Sequence, residues 1–442
     1  MPNNLEHFAS PYSLGNANEP VELSRETINF IRNKTWTTGT GSVNVRFLPS
    51  PRITIDASFP VLRPLSGLKS EQLGLPDRGI EVPGVTTSFK MTMGAGGSGT
   101  SIRWIVLREP LVVLGDETTV VKRVVFHLVN FPEVNIERTT VESSNGRQVS
   151  IRHFILAWGS YEVHLRSLHS TPDSAKTLRD EGGYAITHLG EIRRTDANEF
   201  SVSDIASFLR GLELFFSFCR GHWVSPVLRV GFDSNCAKVW EHWNSPKGES
   251  YLWTSSWLNP MYGQNLEVLF PGFMNLWANQ EWQQALEEAI YWYLNSNYSP
   301  RGIDAGVILA QAALERLSFA NAVKNKVHGG FRKITAADKL RELFSSLNLP
   351  VTIPSVLTSL SATAMQHRWS DAPQGLTEIR NEIVHPEHKK RGQFNDVLVD
   401  AWDLSLWYIE MTVLRLSAYS GDYSNRLVPR NAVGQVEKVP WA

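Results

Sequence analysis

The stretch Leu376-Thr377-Glu378-Ile379-Arg380-Asn381-Glu382-Ile383-Val384-His385-Pro386-Glu387-His388 decides how the chain is read. From Leu376 to Val384 the residues are good or tolerable helix formers, and Pro386 disfavours the α conformation at the residue before it. The spacing therefore predicts a helix that stops at His385. On an unbroken helix Arg380 and His385 would stand roughly 140° apart, whereas a helix broken at His385 lets the imidazole swing back toward the arginine. A guanidinium grips a phosphate and a neutral imidazole exchanges a proton near pH 7. Together they supply what RNA cleavage without a metal requires.

Outward from this stretch the pattern stays helical. Gln280 to Asn295 carries Trp282, Ala285, Leu286, Ile290 and Tyr293 at helical intervals, and Asp304 to Val323 is apolar nearly all round, as a central bundle helix is. Thr335 and Asp338 make a capping-box-like start for a helix through Leu347. Ser355 to His367 gives another, the motif helix follows from about Leu376, and a long helix runs from Phe394 to Ser420 with Gly421 at the cap position. The motif thus ends the fifth of six helices.

Arg380-Asn381-x-x-x-His385, so placed, resembles the R-x4-to-6-H signature of HEPN domains, helical bundles found in many bacterial ribonucleases of toxin and anti-phage systems. The resemblance covers residues 275–425, and the polar Asn381 directly after the arginine is part of it. It implies a metal-independent endoribonuclease that needs no cofactor and leaves 2′,3′-cyclic phosphate and 5′-hydroxyl ends. It also implies RNA as substrate and a homodimer whose bundles share the site. HEPN bundles often carry an acid on an earlier helix that orients the motif arginine, and that role falls to Glu315, in an otherwise apolar helix. An intrahelical pair with a basic neighbour is the alternative for this residue. Glu387 stands where HEPN toxins silenced by a nucleotidyltransferase have tyrosine, which separates this chain from that branch.

Each residue also has a plainer role. His385 can cap a helix C-terminus, where the dipole favours an imidazolium, and Arg380 can form a surface ion pair. Lys389-Lys390-Arg391, and Arg332-Lys333 in the loop after Gly329-Gly330, are candidate contacts for an RNA backbone or solvated charge runs. His388 follows His385 by three residues, but no acid of known position completes a metal site, and none is expected.

The first half of the chain reads differently. Val43–Phe47, Arg52–Asp56 and Ser101–Val106 alternate apolar and polar residues with period two, and Thr119–Asn130 and Gln148–Leu165 are longer extended runs. Ser144-Asn145-Gly146-Arg147 carries the Asn-Gly signal of a hairpin. An antiparallel, sandwich-like region is expected, with a helix from Ser201-Val202-Ser203-Asp204 to about Cys219 and a tryptophan-rich passage that is core or stacking platform. Gly94 to Thr100 looks like a phosphate loop but lacks its lysine and precedes a strand, so it reads as a connecting loop. Asn259-Pro260 and Pro271-Gly272 mark a border between the halves.

The fold class is therefore α+β in two domains. Residues 1–25 form an arm and 26–265 a β-rich domain; 275–425 form a helical bundle and 426–442 a tail. The β-rich half is similar in pattern to the amino-terminal region of ApeA-like anti-phage HEPN proteins, which implies recognition of a phage or host trigger. A catalytically inactive bundle that binds RNA or protein and dimerises is the rival reading. The net charge of −1 gives no global pull toward nucleic acid, so any RNA surface is local. Two cysteines make no disulfide framework or zinc site, the N-terminus has no signal-peptide pattern, and no apolar run is long enough to span a bilayer. A cytoplasmic protein without membrane partners is expected.

Overall fold

Arg123–Val129 shows how the β-rich half is layered. Val124, Phe126 and Leu128 point to one side and Val125, His127 and Val129 to the other, and all six are buried. A period-two strand covered on both faces must lie between two layers. In this computed structural model, which describes residues 9–32, 35–59, 78–82, 91–93, 101–106, 111–136, 138–142, 148–168, 170–248, 250–298, 302–325, 334–385, 392–429 and 434–442, those layers are a second sheet and a set of helices.

Among the described residues the first sheet has six strands. They are β1 (Val21–Arg32), β2 (Thr35–Arg46), β3 (Arg52–Ser58), β4 (Arg78–Glu81), β5 (Met91–Met93) and β6 (Ser101–Val106), in the order β4-β1-β2-β3-β6-β5. The second sheet has eight strands. Its members are β7 (Leu111–Leu114), β9 (Arg123–Val129), β10 (Arg138–Glu142), β11 (Gln148–Trp158), β12 (Tyr161–Ser167), β13 (Ile186–Arg194), β15 (Val227–Phe232) and β16 (Lys238–Trp243). They lie in the order β10-β11-β12-β13-β9-β15-β16-β7. β8 (Val120–Val121) pairs with β14 (Phe200–Ser201) in a small ladder, and every pairing is antiparallel.

The sheets face each other across one core, where Val43, Val45, Ile55 and Trp104 of the first meet Val129, Ile186, Val230 and Trp243 of the second. The sandwich-like expectation holds. The arm is drawn in as well: Tyr12 is buried and its hydroxyl donates to Glu241 at 2.6 Å. The 148–165 run proves to be two strands that turn at Gly159, whose φ of +58° suits glycine. β10 and β11 pair with Glu142 opposite Gln148, while the Asn-Gly residues between them, like Gly94–Thr100, lie outside the described residues.

The helices are α1 (Thr171–Glu181), α2 (Ala206–Arg220), α3 (Gln264–Ala278), α4 (Gln280–Asn297), α5 (Ile303–Lys324), α6 (Ala336–Ser346), α7 (Thr358–His367), α8 (Ala372–Val384) and α9 (Leu398–Leu416). A 3-10 turn, Val202–Ile205, leads into α2 and opens with a capping box in which Ser201 N–H donates to Asp204 Oδ2 at 2.9 Å. α2 is nearly all buried between the eight-stranded sheet and the helices behind it.

The second part of the stretch read as a border, from Gln264 on, is itself helical. α3 buries Leu266, Leu269, Phe270, Phe273, Met274 and Trp277, which recur at intervals of three and four. Pro271 inside this helix costs about 3 kcal/mol, and burying several large apolar side chains outweighs it. One continuous core therefore runs from Val124 and Phe126 in the sheet through Phe215 and Phe273 to Leu314 and Leu404 in the bundle. The segment expected as a tail also joins it. The Arg426 side chain is buried, Val439 packs into the core, and β17 (Asp422–Tyr423) pairs with β18 (Glu437–Lys438).

No described helix is long and apolar enough to cross a membrane.

Candidate active site

α8 opens four residues earlier than the sequence suggested. Asp371 caps it, accepting from Gln374 N–H at 2.9 Å, and Pro373 sits in the first turn, where its missing N–H leaves no bond unmade. Arg341 of α6 donates to the same carboxylate from Nη2 at 3.0 Å, which pins this end to the bundle. Leu376 and Ile379 are buried along the inner stripe. The helix ends where the proline requires. His385 is the C-cap, with φ −127° and ψ 60°, and its N–H donates to Asn381 O at 2.8 Å.

Glu378, Asn381, Glu382 and His385 follow one another at intervals of three, one and three, which puts them on one outer stripe. That stripe is one wall of a polar groove of about 460 Å³. The facing wall is aromatic: His367 stacks on Trp369 with centroids 5.7 Å apart and meets Phe394 edge-on at 5.2 Å. Gly375 allows this closeness, since a Cβ there would lie 2.8 Å from Trp369 Cε3. Gly392 N–H donates to Glu382 Oε1 at 2.6 Å, so Gly392 is held against the motif helix. Glu378 makes no hydrogen bond or ion pair among the described residues.

Arg380 does not line the groove. Its side chain lies beside the groove, half-buried, and Nη1 donates to Asn381 Oδ1 at 3.1 Å. Its Nε is buried without a hydrogen-bond partner. The break at His385 leaves the imidazole exposed on the groove stripe, so Asn381 is the residue that joins the two members of the motif. It holds the arginine with its side chain and lines the histidine's groove.

Glu315, on α5, is part-buried and accepts from Gln311 Nε2 at 3.4 Å, and that amide also lies 3.3 Å from Thr377 Oγ1, one turn before Arg380. Both bonds are long. Among the described residues no ion pair links Glu315 to Arg380, so its connection to the motif helix runs through Gln311 and Thr377. Arg316 next to it pairs with Glu288 of α4.

Lys389, Lys390, Arg391, Arg332 and Lys333 lie outside the described residues, as does His388. Among the described residues no cluster of three His, Cys, Asp or Glu side chains is arranged to hold a metal. Sequence reasoning passed over the groove itself. The stripe Glu378, Asn381, Glu382, His385 was visible as helical spacing, but Trp369 and Phe394 come from flanking segments that no periodicity connects to it.

Comparison with known proteins follows this division. Residues 116–254 match the family model described as the YopA central domain, and residues 279–438 match the YopA C-terminal domain. The chain is 27% identical over 413 residues to the SPbeta prophage-derived uncharacterized protein YopA of Bacillus subtilis (strain 168), covering 91% of this chain and 90% of that protein. No solved structure matches. The C-terminal match begins at Asn279, the side-chain cap of α4, and takes in Glu315, Arg380, Asn381 and His385. The central match takes in β8 through β16, and the six-stranded sheet lies outside both.

Proposed function

We propose that the chain is a metal-independent endoribonuclease of the bacterial toxin or anti-phage type, with an HEPN-like bundle and a motif of Arg380, Asn381 and His385. The observation that carries the reading is the Arg380–Asn381 hydrogen bond on the last turn of a helix whose end exposes His385 to a polar groove. His385 removes the proton from a ribose 2′-hydroxyl, the 2′-oxygen attacks phosphorus, and the P–O5′ bond breaks. The ends left are a 2′,3′-cyclic phosphate and, once a proton reaches the leaving oxygen, a 5′-hydroxyl. Arg380 stabilises charge on the phosphate in flight, and Asn381 is the positioning residue that aims it. The aromatic wall of the groove offers stacking to a flanking base.

Because Arg380 lies beside the groove, a phosphate in contact with His385 is better met by the arginine of a second chain, which supports a homodimer with a shared site. A cytoplasmic protein acting in phage–host conflict fits the prophage origin in the relative's name. The two sheets are then the part that recognises a trigger. The same position of Arg380 also favours the rival reading, an inactive bundle that dimerises and holds RNA or protein. Mixing Arg380→Ala with His385→Ala separates them: each alone is inactive, and a shared site regains a fraction of wild-type cleavage in the mixture. Persistent cleavage by either single variant contradicts the proposed roles.

A further inference from the structure

The six-stranded sheet buries Ile28, Val43, Val45, Ile53, Ile55 and Trp104 on one face. The pairing registers order what stands on the other. Arg25 of β1 lies opposite Ser42 of β2, Ser42 opposite Asp56 of β3, and Asp56 opposite Arg103 of β6. Two positions along, Thr27, Thr40, Ser58 and Ser101 form a second cross-strand row, made of hydroxyls alone. The two rows line a concavity of about 810 Å³, open to solvent, with Arg46 at its side.

The charge there is unbalanced. Asp56 holds two guanidiniums at once, Arg46 Nη2 at 2.8 Å and Arg103 Nε at 2.5 Å, so that small cluster is a net cation. Arg46 Nε is buried and has no hydrogen-bond acceptor. Arg25 pairs with Glu22 at 2.6 Å, but its side chain is 77% exposed, and such a pair contributes little and is readily exchanged. Asp56 thus spreads two guanidinium forks along the floor and leaves their other N–H groups for a ligand. Among the described residues the lining has no aromatic ring on which a base or sugar face would stack.

We propose that this face binds the sugar–phosphate backbone of a single-stranded nucleic acid. Arg25, Arg46 and Arg103 hold successive phosphates, and the hydroxyl row donates hydrogen bonds to phosphate oxygens of the same strand. Length selects the occupant. Arg25 and Arg103 are three strand spacings apart, about 14 Å, so one phosphate group cannot reach both and a chain of phosphates can. The site is separate from the Arg380–His385 motif and does not depend on its activity.

The test is fluorescence polarisation of the full chain with a short labelled single-stranded DNA, which has no 2′-hydroxyl and is not a substrate for the chemistry above. The variants are Arg25→Gln/Arg103→Gln and, separately, Thr40→Glu, which puts a negative charge at an exposed floor position without removing a packed group. Wild type is expected to bind with an affinity that falls as salt rises. Each variant is expected to bind at least about tenfold more weakly, the double variant with a salt slope shallower by about 1.4. Thermal melts matching wild type show that the folds are intact. Unlabelled DNA should compete, and inorganic phosphate at equal phosphate concentration should not. Wild-type affinity in Thr40→Glu, no binding by wild type, or equal competition by inorganic phosphate would overturn the proposal.

Discussion

Arg380 Nη1 donates to Asn381 Oδ1 at 3.1 Å, so the arginine of the motif is held by the residue next to it in sequence. Neighbours on a helix do not normally face each other. Here the amide holds the guanidinium beside the groove that His385 borders.

Asn381→Ala should therefore lower cleavage without unfolding the chain, because Asn381 is exposed. A hydrogen bond to a charged group is worth about 1.5–3 kcal/mol, so the rate should drop by roughly 10- to 100-fold. Initial rates on a labelled RNA measure it. An unchanged rate would remove Asn381 from the account.

Gly272 tests the continuity of the core. A Cβ at that position would lie 1.9 Å from the Ser417 carbonyl oxygen, just after α9, and that neighbour is backbone. Gly272→Ala must push α3 away from α9, at a cost of about 1–3 kcal/mol or more. Chemical denaturation should show the loss in one cooperative transition. Separate transitions for the sheets and the bundle would contradict the shared core.

Arg426 and Glu410 are both buried, joined at 2.7 Å, with the Tyr293 hydroxyl donating to the same carboxylate at 2.6 Å. Arg426→Met leaves Glu410 a buried charge with one neutral donor, which should cost about 3–5 kcal/mol. The double variant Arg426→Met/Glu410→Leu should be milder than the single one. Melting temperatures in that reverse order would contradict this account of the pair.

His127 and His188 are fully buried, and loss of solvation holds the first at a pKa of about 4 and the second at about 3. Unfolded imidazoles titrate near 6.5, so below that pH the unfolded chain binds more protons than the folded one. Stability should be constant above pH 6.5 and fall as pH drops from 6.5 toward 4, by on the order of 3 kcal/mol for each histidine. His127→Gln should flatten the decline. Melting temperatures between pH 7 and 4 read both effects.

Much of this was legible in the chain. The period-two runs around Val43, Ile53 and Ile102 became strands, and Pro386 placed the end of the motif helix at His385 because its ring acts on the residue before it. Pro271-Gly272 lies between the two family matches, 116–254 and 279–438, near where the border was read, but the same local punctuation hid a helix, because the apolar stripe from Leu266 to Trp277 has partners only in the folded core. Trp369 and Phe394 were invisible as groove residues, since only tertiary packing sets them against α8. The spacing of Arg380 and His385 could not reveal that Asn381 would stand between them.

The central claim is that His385 cuts RNA without a metal. Wild type and His385→Ala, each incubated with RNA in EDTA, test it most directly when the new ends are analysed. The account predicts 2′,3′-cyclic phosphate ends from wild type and a loss of at least about 100-fold in the variant. Equal cleavage by the two proteins, or cleavage that EDTA abolishes, would contradict it.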